Sequence, residues 1–331
     1  MPRRSATGRS PDGAPAAPPR APATVPSTAG RRPQEVLRQL ELVVTRRLDG
    51  LLQGDYLGLV PGHGTEPGET RTYVEGDDVR RIDWNVTART TVPHVRDAIA
   101  DRELETWALV DCSASLDFGT ALCEKRDLAL AAVAAVGFLT ARTGNRLGAV
   151  IVRPDGTSRV PARPGRQALL ALLHTIATRS RVDGGGPTDL AAALGAMLRP
   201  PRRRGLTVVV SDFLAPPGWQ RPLRALAARH QVLCVEVVDP RELELPSVGY
   251  LTLVDPETGA LREVQTANES LRRRYAEAAA AQRATIAKDI RGTGASHLVL
   301  RTDGDWLREI VGFVLLARRR RDALSRVGVR R

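Results

Sequence analysis

Residues 106–115 read Thr-Trp-Ala-Leu-Val-Asp-Cys-Ser-Ala-Ser, an uncharged run of strand length that ends in Asp111, Ser113 and Ser115. Four further runs rich in apolar residues lie downstream: RLGAVIV (146–152), LTVVV (206–210), QVLCVEVV (231–238) and SHLVL (296–300). Between and after them lie stretches of helical texture near 121–142, 165–178, 188–198, 218–229, 268–291 and 304–321. A strand buried on both faces reads as a continuous apolar run, and such runs alternating with helices predict an α/β fold with a doubly wound, mostly parallel sheet. The uncharged run Leu128–Ala141 suits a buried helix and is too short to cross a bilayer. SRVPA (158–162) adds a short strand, and YLTLV and ALREV around DPETG form a hairpin. Thr266-x-x-Glu269 reads as a capping box for the next helix.

Outward from this core the texture changes. Leu37, Leu40, Val44, Leu48 and Leu51 recur at steps of three and four, one face of a helix over about 34–52. Residues 55–100 read as short extended segments with turns, a β-rich insertion. Residues 1–33 carry eight prolines and only one apolar residue larger than alanine apart from Met1 and those prolines, a composition that predicts disorder. The expected organisation is a basic tail (1–33), a helix with a β-rich segment (34–101), the α/β domain (102–317) and an Arg-rich tail (318–331).

The net charge of +12 sits almost wholly in the two tails, leaving the part between them nearly neutral. All but two of the 49 basic residues are arginine, a bias of GC-rich coding that makes the arginine count weak evidence for phosphate binding. Aromatics are only 4%, poor for stacking bases. The 3 cysteines have neither metal nor redox spacing, and the N-terminus lacks the apolar stretch of a signal peptide, so the expected location is cytoplasmic.

In a doubly wound sheet the ligand site lies at the carboxyl ends of the strands, near the switch point. There TWALV delivers Asp111, Ser113 and Ser115, LTVVV delivers Ser211 and Asp212, and QVLCVEVV delivers Asp239; the glycine-rich RVDGGGPTDL brings Thr188 to a helix start. Hard oxygen donors of this kind suit Mg²⁺ or Mn²⁺. A tight turn leaving a strand lets alternate side chains of D-x-S-x-S share one ion, with both hydroxyls expected on a solvent-facing loop.

D-x-S-x-S after an apolar strand, with a later Thr and Asp, resembles the metal-ion-dependent adhesion site of von Willebrand factor A domains. The resemblance implies that Asp111, Ser113, Ser115, Thr188 and Asp212 hold the ion, directly or through water. A second, tighter resemblance lies upstream. Arg71-Thr-Tyr73, then Gly76-Asp77-Asp78-Val-Arg80-Arg-Ile-Asp83-Trp84-Asn-Val-Thr87-Ala-Arg89, is similar to the signature of the bacterial domain-of-unknown-function family 58, which carries it just before a von Willebrand A-like domain. With Lys125 in the following helix, the likeness covers about 50–255. Many members have N-terminal transmembrane helices; none is read here, which sets the chain with the soluble members. Members are often associated with MoxR-type AAA+ ATPases. The signature itself reads as an ion-paired clamp with Trp84 buried beside it and Arg89 paired inside, with a partner surface and a catalytic group as the alternatives.

Motifs for other chemistry are missing. There is no H-E-x-x-H, no G-x-S-x-G and no Gly-Lys-Ser/Thr, so any ATP hydrolysis belongs to a partner. Cys112 reads as a packing residue, and the five histidines as surface or core residues. The expected function is a non-enzymatic, metal-dependent adaptor whose ion is completed by a partner's Asp or Glu, the partner being an AAA+ ATPase system. No small-molecule substrate is expected, and the membrane is reached only indirectly. The alternatives are a metal-dependent hydrolase or phosphoesterase, for which no general base is evident, and nucleic-acid binding through the tails.

Overall fold

A computed structural model of the chain describes residues 25–28, 30–51, 70–74, 79, 82–96, 105–141, 145–179, 186, 188–199 and 205–316. The C-terminal Arg-rich tail and most of the N-terminal one lie outside these residues, as do YLGLV (56–60) and the signature residues Gly76, Asp77 and Arg80. In chain order the elements are α1 (Pro33–Leu51), β1 (Thr70–Thr72), α2 (Trp84–Thr90), β2 (His94–Arg96), β3 (Glu105–Asp111), α3 (Lys125–Ala141), β4 (Arg146–Arg153) and β5 (Gly156–Pro164). They continue with α4 (Arg166–Ala177), α5 (Leu190–Met197), β6 (Leu206–Ser211), α6 (Gln220–Ala227), β7 (Gln231–Val238), β8 (Tyr250–Val254), β9 (Leu261–Gln265), α7 (Glu269–Gly292) and β10 (Ser296–Arg301). A last helix, α8, covers 306–316.

Six strands form the central sheet in the order β10-β7-β6-β3-β4-β5, all parallel except the antiparallel edge strand β5. This is the doubly wound order, and the direction of winding reverses between the adjacent strands β3 and β6. Alternate residues of each strand serve two cores. Ala108, Val110, Ile151, Val208, Val210 and Val235 face α1, α3, α4 and α8. Trp107, Leu109, Val150, Val209 and Cys234 face α5, α6 and the Ile286–Ile290 stretch of α7.

Helix α3 explains its own composition. It is buried from Leu128 through Thr140 on every side, so it has no polar face to write into the sequence. Val36, Leu37, Leu40 and Val44 of α1 join the same core, which makes α1 part of the main body. Val25 is buried with them, and both the amide and the hydroxyl of Thr28 donate to Asp127 at the start of α3. The chain is therefore packed before residue 33, contrary to a tail disordered throughout.

The polar signature, of which Gly76, Asp77, Asp78, Arg80 and Arg81 lie outside the described residues, departs at Trp84 and Arg89 from its reading as a buried ion-pair clamp. Its second half folds as the short helix α2, capped by Asp83, which accepts from the amides of Asn85 (3.1 Å) and Val86 (3.4 Å). Trp84 is 71% exposed rather than buried, and Arg89 is also exposed. The reason is length: α2 spans two turns and buries no residue, so it offers no pocket for an indole. Thr87 holds the segment to the β1–β2 ribbon by accepting from the amide of His94 (3.0 Å), while half-buried Tyr73 donates its amide to the Pro93 carbonyl (2.8 Å). Arg71 lies within β1, where it pairs with Val95. Asp83→Ala is thus expected to cost about 1–2 kcal/mol, the worth of a helix cap, in a urea melt, and Arg89→Ala well under 1 kcal/mol.

The capping box also fails. Asn268, not Thr266, caps α7, accepting from the amide of Leu271 (3.3 Å). Thr266 is fully buried and ties the base of the β8–β9 hairpin, donating to the Gly249 carbonyl and accepting from the amide of Val248.

Candidate functional site

The switch point places Asp111, at the end of β3, beside Ser211 and Asp212, at the end of β6. One oxygen of Asp111 accepts from the Ser113 amide (3.0 Å) and the Thr188 hydroxyl (3.4 Å), and the other from the Ser211 hydroxyl (2.7 Å). The Ser113 and Ser115 hydroxyls lie 3.0 Å apart, and Ser115 donates to Asp212 (2.7 Å). The five residues expected from D-x-S-x-S, Thr and Asp therefore form one hydrogen-bonded group. The two serines are not on a solvent-facing loop: they are 2% and 7% exposed, because residues 114–117 wind into a 3-10 turn that tucks Leu116 into the core.

Asp212 is aimed by an unusual backbone. Phe213 sits in the left-handed region (φ 57°), rare for a bulky residue. Its ring packs against Trp219 at 5.4 Å, and its amide donates to Ser211. The turn lets the Leu214 amide donate to Asp212 (3.1 Å).

Beneath these residues lies an ionic network. Lys125, 0% exposed at the start of α3, donates to Asp212 (2.9 Å) and to Glu242 (2.5 Å). Its position depends on Gly119, where a Cβ would lie 2.4 Å from the Glu124 Cα; the chain closes there so that the Lys125 amide meets the Phe118 carbonyl. Arg283 of α7 donates to Glu242 (3.0 Å), to Glu236 (3.1 Å) and to the Asp212 carbonyl (2.9 Å), and His297 of β10 lies 2.7 Å from Glu236. Glu236 is a charge inside an otherwise apolar strand, and it is the sequence signal that a buried network exists.

The two carboxylates differ electrostatically. Burial, then the neighbouring charge of Asp212, pushes Asp111 up from 3.8 to about 6. Burial also pushes Asp212 up, but the charge and hydrogen bond of Lys125 outweigh it and hold Asp212 below the ordinary carboxylate range. Burial alone would lower the Lys125 ammonium; Asp212 and Glu242 reverse this and hold it above the usual lysine range. The Cys112 thiol is pushed up to about 12 by burial and by Asp111, so it is not a ready nucleophile.

Asp239, the third carboxylate read at a strand end, does not join this group. It accepts from Thr120 and Thr302 and caps a short turn of 3-10 helix over 240–242. A residue the motifs did not point to stands closer. Glu257, in the DPETG turn of the hairpin, accepts through its backbone carbonyl from the amide of Gly186 (3.2 Å), two residues before Thr188. Burial and the charges of Asp212 and Asp111 raise its carboxyl. Among the described residues no three His, Cys, Asp or Glu side chains form a metal-ligating group, so a bound ion would rest on two carboxylates and hydroxyls.

A model of the family described as "Protein of unknown function DUF58" matches residues 69–285. The uncharacterised protein Rv1480 of Mycobacterium tuberculosis is 60% identical over 289 residues, 87% of this chain and 90% of that protein. Among solved structures, the conserved hypothetical protein BatB from Bacteroides thetaiotaomicron aligns with a TM-score of 0.41 at 14% identity, over 63% of this chain and 96% of that one. A von Willebrand factor type A protein from Catenulispora acidiphila aligns with a TM-score of 0.31 at 15% identity, over 44% of this chain and 35% of that one.

Proposed function

Because the chain belongs to the DUF58 family of proteins of unknown function, and its strand-end cluster is an oxygen-donor site beside a shortage of positive charge, we propose that it is a non-enzymatic, metal-dependent protein-binding adaptor. The observation that carries this reading is the charge balance. Among the described residues the cations hydrogen-bonded to Asp111, Asp212, Glu236 and Glu242 are Lys125 and Arg283, a formal −2 for this bonded group with His297 counted neutral. One divalent cation balances it. Asp111, Ser113, Ser115, Thr188 and Asp212 would hold Mg²⁺ or Mn²⁺, hard ions that accept carboxylate and hydroxyl oxygens and commonly keep open or water-filled positions. The ion would supply the largest local positive charge, and an Asp or Glu of a partner protein would complete it. The family resemblance makes a MoxR-type AAA+ ATPase system the first partner to test, in the assembly or maturation of other complexes.

Among the described residues no helix is long and apolar enough to cross a membrane. Titration calorimetry with Mn²⁺ is expected to show one site that Ser113→Ala combined with Ser115→Ala weakens at least tenfold. Co-purification with the ATPase is expected in Mg²⁺ and lost in EDTA. Retention in EDTA that disappears only when the Arg-rich tails are removed would overturn the adaptor reading, and metal-dependent turnover of a generic phosphoester would replace it with a hydrolase.

A further inference from the structure

Lys125 is a cation already seated on the candidate ion site. It is one of only two lysines among 49 basic residues, and its ammonium is fully buried between Asp212 and Glu242. A compact ammonium with three donors serves two facing carboxylates where a planar guanidinium fork would need more room. Counting donors shows what this does to the site. Asp212 already accepts from Leu214, Ser115 and Lys125. Among the described residues Asp111 accepts from neutral groups, two hydroxyls and an amide.

We propose that Lys125 is a specificity-determining residue of the ion site: it takes up the charge of Asp212, weakens the site's hold on a divalent ion, and leaves any bound ion positive enough to seek an acidic ligand. This rests on the metal reading of the strand-end cluster and sharpens it. With Asp212 paired to the ammonium, an M²⁺ at the cluster meets one carboxylate without a cation, that of Asp111; the other excess negative charge lies on the Glu236–Glu242–Arg283 group, so the ion's own ligands leave it net positive. Without Lys125 the same ion would face two and be satisfied by the chain itself. Lys125 touches Asp212 directly and is held from behind by Glu242, which in turn accepts from the backbone amide of Asp239 and pairs with Arg283. Its position is therefore fixed by the fold and does not depend on the ion.

The test uses the full chain with Mn²⁺ alone as probe. Lys125→Met removes the ammonium at similar length, and the double variant Lys125→Met with Glu242→Gln also removes the carboxylate left behind. Mn²⁺ affinity is read by calorimetry and by the paramagnetic signal, and thermal melts are run with and without Mn²⁺. The expected result is that Mn²⁺ binds either variant at least tenfold more tightly than the parent. Mn²⁺ should also raise the melting temperature of the variants more than that of the parent, so a variant unfolded without metal should fold when it is added. Unchanged or weaker Mn²⁺ binding in both variants, with the parent binding normally, overturns the role of Lys125 and leaves the metal site standing. Binding by the variants but not by the parent supports the role of Lys125 and overturns the metal reading of the natural chain. No binding by any of the three overturns both.

Discussion

Arg283→Met is expected to lower the free energy of unfolding by roughly 3–5 kcal/mol, the cost of removing one partner from a buried charge pair. The guanidinium reaches from α7 to Glu236, Glu242 and the Asp212 carbonyl, and its side chain is only 14% exposed. Glu236, 2% exposed, would be left with His297 as its remaining side-chain partner among the described residues. A comparison within the same helix sets the scale. Arg273 and Glu277 form an i,i+4 pair at 3.9 Å with side chains about 70% exposed, and losing such a pair costs under about 0.5 kcal/mol. Urea unfolding of Arg283→Met, Arg273→Ala and the parent measures both. Adding Glu236→Gln to Arg283→Met should recover part of the loss, because the orphaned charge goes with its partner. A loss below about 1 kcal/mol for Arg283→Met would mean that water reaches Glu236 and that the network behaves as a solvated surface cluster.

How much of this was legible in the sequence depends on how each feature is stabilised. The strands of the central sheet were legible because burial on both faces forces continuous apolar runs. So was α3, whose uncharged stretch has no reason to exist on a surface. Asp111, Ser113, Ser115 and Asp212 were legible from position, since in a doubly wound sheet the residues just past an apolar strand face the switch point, and Thr188 from the glycine-rich run before a helix; the choice of these five over Ser211 and Asp239 came from the likeness to the von Willebrand A site. Features held by long-range partners were hidden. Lys125 contacts Asp212 and Glu242 at separations of 87 and 117 residues, and no local spacing encodes that. His297 read as one of five scattered histidines, and only the fold sets it against Glu236. Helix α2 escaped because a two-turn helix that buries nothing has no apolar period. Thr266 and Asn268 are both plausible caps two residues apart, and the hairpin's demand for Thr266 decided between them. The one missed clue of local kind was Glu236, since a charge inside an apolar strand requires a buried partner somewhere.

Asp111→Asn is expected to make the metal-free protein more stable at pH 7.5 while abolishing Mn²⁺ binding. The sign comes from linkage. Burial and then Asp212 raise the folded-state carboxyl of Asp111 from 3.8 to about 6. The folded chain therefore holds a proton that the unfolded chain has lost over that window, and the contribution of Asp111 is greatest below about pH 4 and declines as pH rises through about 6. The ionised carboxylate then costs about 3 kcal/mol at neutral pH. Asparagine carries no charge and keeps an oxygen for the Ser113 amide and the Thr188 hydroxyl. In EDTA, the variant should exceed the parent by up to about 3 kcal/mol at pH 7.5 and by little near pH 4.5. Asp212 and Asp239 act in the opposite direction, since their folded-state carboxyls are lowered and their contribution is lost as pH falls, so the quantity to follow is the difference between variant and parent at each pH. Saturating Mn²⁺ should reverse the order at pH 7.5, because the ion offsets the charge on Asp111 and has no carboxylate to meet there in the variant. A residue present only for packing would behave otherwise: its replacement would destabilise at both pH values and Mn²⁺ would leave the ranking unchanged. A variant less stable than the parent in EDTA at pH 7.5 would show that the Asp111 carboxylate is already satisfied by the chain, and the case for an ion at the end of β3 would fall with it.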